Sequence, residues 1–146
     1  MKRFFKMPNG GRYEIPSRIE ELQRMERVAK AIGKRYGLSQ DQIVNLAIAL
    51  TETVGNAILH GNQEDPKKKV YITFWLKGDA LYLDVRDEGK GFDLTKVEDP
   101  TLPENLMKER GRGIFILKNL IDEVSFSFSP HGTTVHMRMH LKNKTP

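Results

Sequence analysis

Thr51-Glu52-Thr53-Val54-Gly55-Asn56-Ala57-Ile58-Leu59-His60-Gly61-Asn62 sets a carboxylate, a carboxamide and an imidazole four residues apart, on Glu52, Asn56 and His60. At about 100° per residue that spacing drifts only slowly around a helix, so the three share one face and one ligand can touch them all. The preceding run Leu46-Ala47-Ile48-Ala49-Leu50 is apolar all round and predicts a mostly buried helix. A carboxylate on it is expected in a pocket, where desolvation prepares such a group for general-base work. Polar residues four apart are also what the wet face of an ordinary helix displays, so the flanking sequence has to decide.

Upstream, Ser39 with Gln42 forms a capping box that opens this helix, whose apolar stripe is Ile43, Leu46, Ala47, Leu50, Val54, Ala57 and Ile58. Glu52 and Asn56 lie roughly opposite. Gly55 costs about 1 kcal/mol of helix propensity relative to Ala, which marks either a missing side chain beside a pocket or a close helix crossing. Ser17 with Glu20 repeats the capping pattern before a first helix striped by Leu22, Met25, Ala29, Ile32 and Tyr36 and stopped by Gly37. That stripe packs on the chain's own sheet or also lends a face to a partner or to a twin subunit in a homodimer. Before it, Arg3 to Lys6 and Arg12 to Ile15 flank Asn9-Gly10, a hairpin signal with an edge strand.

Downstream the period changes to two. Val70, Ile72, Phe74 and Leu76, then Leu81, Leu83 and Val85, form one hairpin around Lys77-Gly78-Asp79. Val124, Phe126 and Phe128, then Val135, Met137, Met139 and Leu141, form another around Pro130-His131-Gly132. Ile114, Leu117, Leu120 and Ile121 give a short third helix, and the polar, proline-bearing stretch 93–110 reads as a loop of the length lids have. The sum is an α/β fold: a two-layer sandwich in one domain over residues 1–146, with three helices on one face of a mixed, mainly antiparallel sheet.

Three glycine blocks punctuate the second half: Asp87-Glu88-Gly89-Lys90-Gly91-Phe92, Gly111-Arg112-Gly113 and Gly132-Thr133-Thr134. Glycine before a helix N-terminus lets backbone N–H groups approach a phosphate, a need Gly111 and Gly113 meet; Arg110 and Arg112 add charge or simply face solvent. Alone, D-x-G-x-G is a turn or half of a calcium loop. Taken in order with Glu52 and Asn56, these blocks resemble the four ATP-binding boxes of the GHKL (Bergerat-fold) ATPases. The wording E-x-x-x-N-A-x-x-H-G, D-x-G-x-G-F and G-x-G-[IL] is most similar to that of the anti-sigma-factor serine/threonine kinases, over roughly residues 40 to 141.

The resemblance implies ATP and Mg²⁺ as cofactors. It implies that Asp87 accepts a hydrogen bond from the adenine amino group with Thr133 supporting through water, that Gly89, Gly91, Gly111, Arg112 and Gly113 belong to the nucleotide site, that Asn56 ligates Mg²⁺, and that Glu52 is the catalytic base. It further implies an anti-sigma factor that phosphorylates a serine of an antagonist protein and sequesters a sigma factor. The alternative is an ATP-binding switch module of the same fold that holds a partner without catalysing transfer. Thr53 departs from the family's usual Ala, and no lid lysine or arginine aligns with a phosphate.

Composition narrows the classes. The absence of cysteine excludes disulfides and thiolate sites and agrees with a reducing cytoplasm. Phe4-Phe5 is too short for a signal peptide and no later run looks like the roughly 18 apolar residues of a membrane span, so a soluble protein without a membrane is expected. The net charge of +5 permits an anionic partner. Direct nucleic-acid binding is disfavoured, because Phe4, Phe5, Trp75, Phe126 and Phe128 fall largely on alternating strand positions rather than in a basic patch.

Overall fold

The computed structural model describes residues 3–89 and 117–141, and the period-two segments within them are strands. β1 (Arg3–Met7), β2 (Gly10–Pro16), β3 (Lys69–Lys77), β4 (Ala80–Arg86), β5 (Glu123–Ser129) and β6 (Gly132–His140) form one sheet in the order β1-β2-β3-β4-β6-β5. Every neighbouring pair among them is antiparallel. The register puts like with like: Phe74 pairs with Leu83, and Leu83 with Met137. All three are buried, which is how alternation pins a strand's register.

The first hairpin closes on Met7 and Gly10, so its turn is Pro8-Asn9, one residue before the Asn-Gly that the sequence suggests. Asn9 takes the left-handed conformation (φ 57°) itself, a conformation its short polar side chain tolerates. β1 is the expected edge strand, and all five of its residues are exposed.

A 3-10 turn over Ile19–Arg24 leads into α1 (Met25–Tyr36), followed by α2 (Gln40–Asn56), which continues through a π turn over Ala57–Gly61. Residues 117–120 are also helical. Met25, Ala29 and Ile32 of the first stripe are buried, and Gly37 ends α1 in the left-handed conformation (φ 68°). The Ser39 and Gln42 capping box forms in full, and Gln42 also donates to the His140 carbonyl (2.8 Å), tying α2 to the end of β6. Leu46, Leu50, Val54 and Ile58 join the inward strand residues in one core.

Four expectations need correction. The helix following Ser17 starts with no side-chain cap: Ser17 donates to the Lys68 carbonyl (2.7 Å) and accepts from Asn62 Nδ2 (2.8 Å) instead. Ile48 is 44% exposed, so α2 is not apolar on a fully buried circumference. Gln40–Gly61 is, by length and composition, long and apolar enough to cross a membrane, contrary to the sequence reading, but its apolar side packs on the sheet. Gly55 does not mark a tight crossing, since a Cβ there would meet only Leu22, at 3.6 Å; the close α1 and α2 contact is at Gly33, where a Cβ would meet Ile43 at 2.4 Å. The lid 93–110, Ile114, Gly91, Gly111, Arg112 and Gly113 lie outside the described residues.

Asn62 sits at the meeting point of the chain. It is 1% exposed, donates to Ser17 Oγ and to the Lys69 carbonyl (3.0 Å), and accepts from the Glu88 N–H (2.7 Å). Glu88 in turn accepts from the Lys69 N–H (2.6 Å). The ends of β2, α2 and β4 and the start of β3 are thereby joined at one buried carboxamide. On the outer face of the sheet, away from the helices, Trp75 stacks on Tyr82 with ring centroids 5.5 Å apart and planes within 7°. Tyr71 lies under both Arg12 (5.0 Å) and Arg86 (4.4 Å), a pair of cation–π contacts.

Gly55→Ala is expected to stabilise the protein by about 0.5–1 kcal/mol, because the helix gains propensity and the new methyl makes ordinary contact with Leu22. A urea unfolding midpoint that falls rather than rises would show that the site is closed to a side chain.

Candidate nucleotide site

The site is built where α2 ends against the end of β4 and the start of β6. Asp87 follows the last residue of β4 and is 2% exposed. Its Oδ1 accepts from the Gly89 N–H and from the Thr133 N–H, both at 3.0 Å, and its own N–H donates to the Thr133 carbonyl at 3.0 Å. A carboxylate held by backbone N–H groups keeps one orientation and is stabilised as the anion. Asp87 and Thr133, distant in sequence, are thus locked together as a pair.

The π turn brings the helix end up to this carboxylate. Asn62 N–H donates to the Ala57 carbonyl (2.8 Å), five residues back, and the wider loop of chain presents Gly61 to Asp87. A Cβ on Gly61 would stand 2.1 Å from Asp87 Oδ2, and a Cβ on Gly89 would stand 2.0 Å from the Gly61 carbonyl oxygen. Gly61 and Gly89 are therefore required by close approach. Gly61 is the closing glycine of the E-x-x-x-N-A-x-x-H-G wording but carries no assigned role there, and Asn62 lies just beyond it; the signal in the sequence is a Gly-Asn pair closing an apolar helix just before a polar loop.

Asn56, Thr53, Asp87 and Thr133 line one cavity together with apolar Val85 and Phe126. It is narrow, about 10 Å³, smaller than a purine. Asn56 is half-buried, and its carboxamide is hydrogen-bonded to no other side chain among the described residues. Thr53, which departs from the family pattern, is 1% exposed and donates its hydroxyl to the Ala49 carbonyl (2.9 Å), so the oxygen facing its surroundings is an acceptor. Glu52 is half-buried but lines a different space, a groove of about 380 Å³ along α1 and α2 shared with Glu26, Lys30 and Ile48. His60 is exposed. The structure thus brings together Asn56, Asp87, Gly89 and Thr133, sets Glu52 one turn away in the neighbouring groove, and leaves Gly91, Gly111, Arg112 and Gly113 outside the described residues.

No group of three or more His, Cys, Asp or Glu able to hold a metal occurs among the described residues. A lone carboxamide oxygen such as that of Asn56 suits a Mg²⁺ carried in by phosphate oxygens and water, since that ion keeps most of its octahedron from substrate and solvent.

Residues 15–139 match the family described as the histidine kinase-like ATPase domain. The chain is 37% identical over 108 residues to the anti-sigma F factor of Bacillus subtilis, spanning 70% of this chain and 73% of that one. It is 29% identical over 137 residues to the serine-protein kinase RsbW of the same organism, spanning 90% and 85%. Its fold matches the structure of the RsbU and RsbW domains of a Mycobacterium tuberculosis protein with a TM-score of 0.66 at 19% identity, over 92% of this chain and 33% of that one. The mycobacterial sensor histidine kinase MprB gives 0.55 at 15% identity, over 88% and 96%.

Gly61→Ala is expected to cost about 1–3 kcal/mol, because its Cβ cannot coexist with Asp87 Oδ2 unless the pair moves apart. Its unfolding midpoint should move opposite to that of Gly55→Ala, and an unchanged midpoint would mean that the helix end and Asp87 are not in contact.

Proposed function

The chain belongs to the histidine kinase-like ATPase domain family, and from that premise we propose that it is an ATP-dependent serine/threonine protein kinase and anti-sigma factor, acting on a serine of an antagonist protein and sequestering a sigma factor. The observation that carries the reading is the buried Asp87 carboxylate, locked by Gly89 and Thr133 in the same cavity as Asn56.

In this reading Asp87 selects the base. An ionised carboxylate only accepts, so it pairs with the exocyclic amino group of adenine and rejects guanine, which presents a carbonyl at the equivalent place. Thr133 and Thr53 line the same cavity. Asn56 holds Mg²⁺, which neutralises charge on the β- and γ-phosphates when bound. Glu52 takes the proton of the acceptor serine. Gly91, Gly111, Arg112 and Gly113 complete the phosphate side, as the sequence motif implies. A cytoplasmic location fits a chain similar to an anti-sigma factor and a serine-protein kinase, and the apolar side of Gln40–Gly61 is used by the core. One observation favours the switch-module alternative: Glu52 lines the groove along α1 rather than the cavity that holds Asn56.

Asp87→Ala should remove about 1–3 kcal/mol of ATP affinity through the lost hydrogen bond, and the wild type should prefer Mg·ATP to Mg·GTP. Calorimetry giving equal affinities for the two nucleotides would sink the base-recognition role. Asn56→Ala should weaken binding and leave it nearly indifferent to Mg²⁺, while Glu52→Ala should still bind ATP but lose roughly 10²–10⁴-fold in single-turnover transfer. Wild-type transfer by Glu52→Ala would remove Glu52 from the chemistry; no transfer by the wild type to any protein of its own cell extract would leave the switch module standing.

A further inference from the structure

The outer face of the sheet carries an arrangement that nucleotide binding does not use. His136 on β6 stands opposite Asp84 on β4 and Ser125 on β5. Its Nδ1 lies 2.7 Å from Asp84 Oδ1 and its Nε2 lies 2.6 Å from Ser127 Oγ. The carboxylate only accepts, so Nδ1 carries the ring proton and Nε2 offers a lone pair to the Ser127 hydroxyl. A hydroxyl bonded to a base that a third group orients is an activated nucleophile. Three adjacent strands fix the three side chains, and Ser127 is exposed on β5, the edge strand, where an approaching protein can reach it.

Turnover of an acyl substrate would also need donors aimed at a developing oxyanion. The backbone N–H groups of paired strands lie in the plane of the sheet, whereas Ser127 stands on its face. The arrangement therefore suits a group that accepts and keeps a substituent better than one that hydrolyses it.

We propose that Ser127 is a phosphoryl acceptor, modified in trans by the nucleotide site of a second copy of this chain. This rests on the kinase reading above. The transfer has to be between copies, because Thr133 and Val135 turn toward the nucleotide cavity while His136 and Ser127 project from the opposite face of the same sheet. The bond from Ser127 Oγ to the γ-phosphorus forms as the bond from that phosphorus to the β,γ-bridging oxygen breaks. The hydroxyl proton passes to His136 Nε2, and ADP leaves with the electron pair. The imidazolium so formed lies between the Asp84 carboxylate and the new phosphoserine, two anions that hold it.

The test mixes two variants with γ-labelled ATP: Asn56→Ala, with Ser127 intact but its nucleotide site disabled, and Ser127→Ala, with the nucleotide site intact. Peptide mass spectrometry should find phosphate on Ser127 of the Asn56→Ala copy only in the mixture. Adding His136→Gln to that copy should slow incorporation about 10²-fold, with an unfolding midpoint to show that it remains folded, while Ser125→Ala should not change the rate. If Ser127→Ala labels a protein in an extract of its own cell but Ser127 stays unmodified in the mixture, or another residue carries the label, the inference fails and the kinase reading survives. If nothing is labelled in either experiment, both fail.

Discussion

The buried carboxamide of Asn62 is the contact on which the rest of the architecture depends. Both of its N–H bonds and its oxygen are engaged, with Ser17, Lys69 and Glu88. Each partner belongs to a different segment, so one side chain fixes how the main helix sits against three strand ends. Removing it would leave buried polar groups unmatched, and the cost of that, about 1–3 kcal/mol per group, exceeds what a typical hydrogen bond adds. Asp87 stands one residue before Glu88, whose N–H Asn62 holds, and Asn56 stands at the end of the helix that Asn62 terminates. The separation of the two proposed ligand-binding groups is thus set by a residue that touches no ligand.

The π turn completes this. An ordinary α-helical ending would close its last turn over one residue fewer, and Gly61 would take a different place relative to the Asp87 carboxylate. The irregularity in the helix and the absence of side chains on Gly61 and Gly89 are one device: a widened backbone loop is useful only if nothing projects from it.

Much of this was legible in the residues. Alternation over Val70–Leu76 and Leu81–Val85 decides strand and face together, because a slip of one residue would turn every apolar side chain outward. Ser39, Gln42 and Gly37 act through their own backbone neighbours, so local sequence suffices for them. What failed was non-local. Ser17 has the right spacing to Glu20, but a buried partner 45 residues away competes for its hydroxyl and wins. Gly55 and Gly33 look alike in sequence, and only the three-dimensional crossing with Ile43 shows which one needs to be bare. The length and apolar content of α2 match both a membrane span and a core helix, and the covering sheet decides. Asn56, Asp87 and Thr133, singled out by box order, line one cavity, as does Thr53, which the sequence marks only as a departure; its place on the cavity wall follows from the helix face.

The stacked pair on the outer face of the sheet has an optical consequence. Trp75 is the chain's sole tryptophan, and it lies against Tyr82 on strands β3 and β4, on the side away from the nucleotide cavity. Indole emission therefore samples the outer side of the sheet, next to Tyr82, and not the cavity at Asp87. In this protein the intrinsic fluorophore reports whether anything covers that face, and an occupant of the cavity reaches it only through the sheet itself.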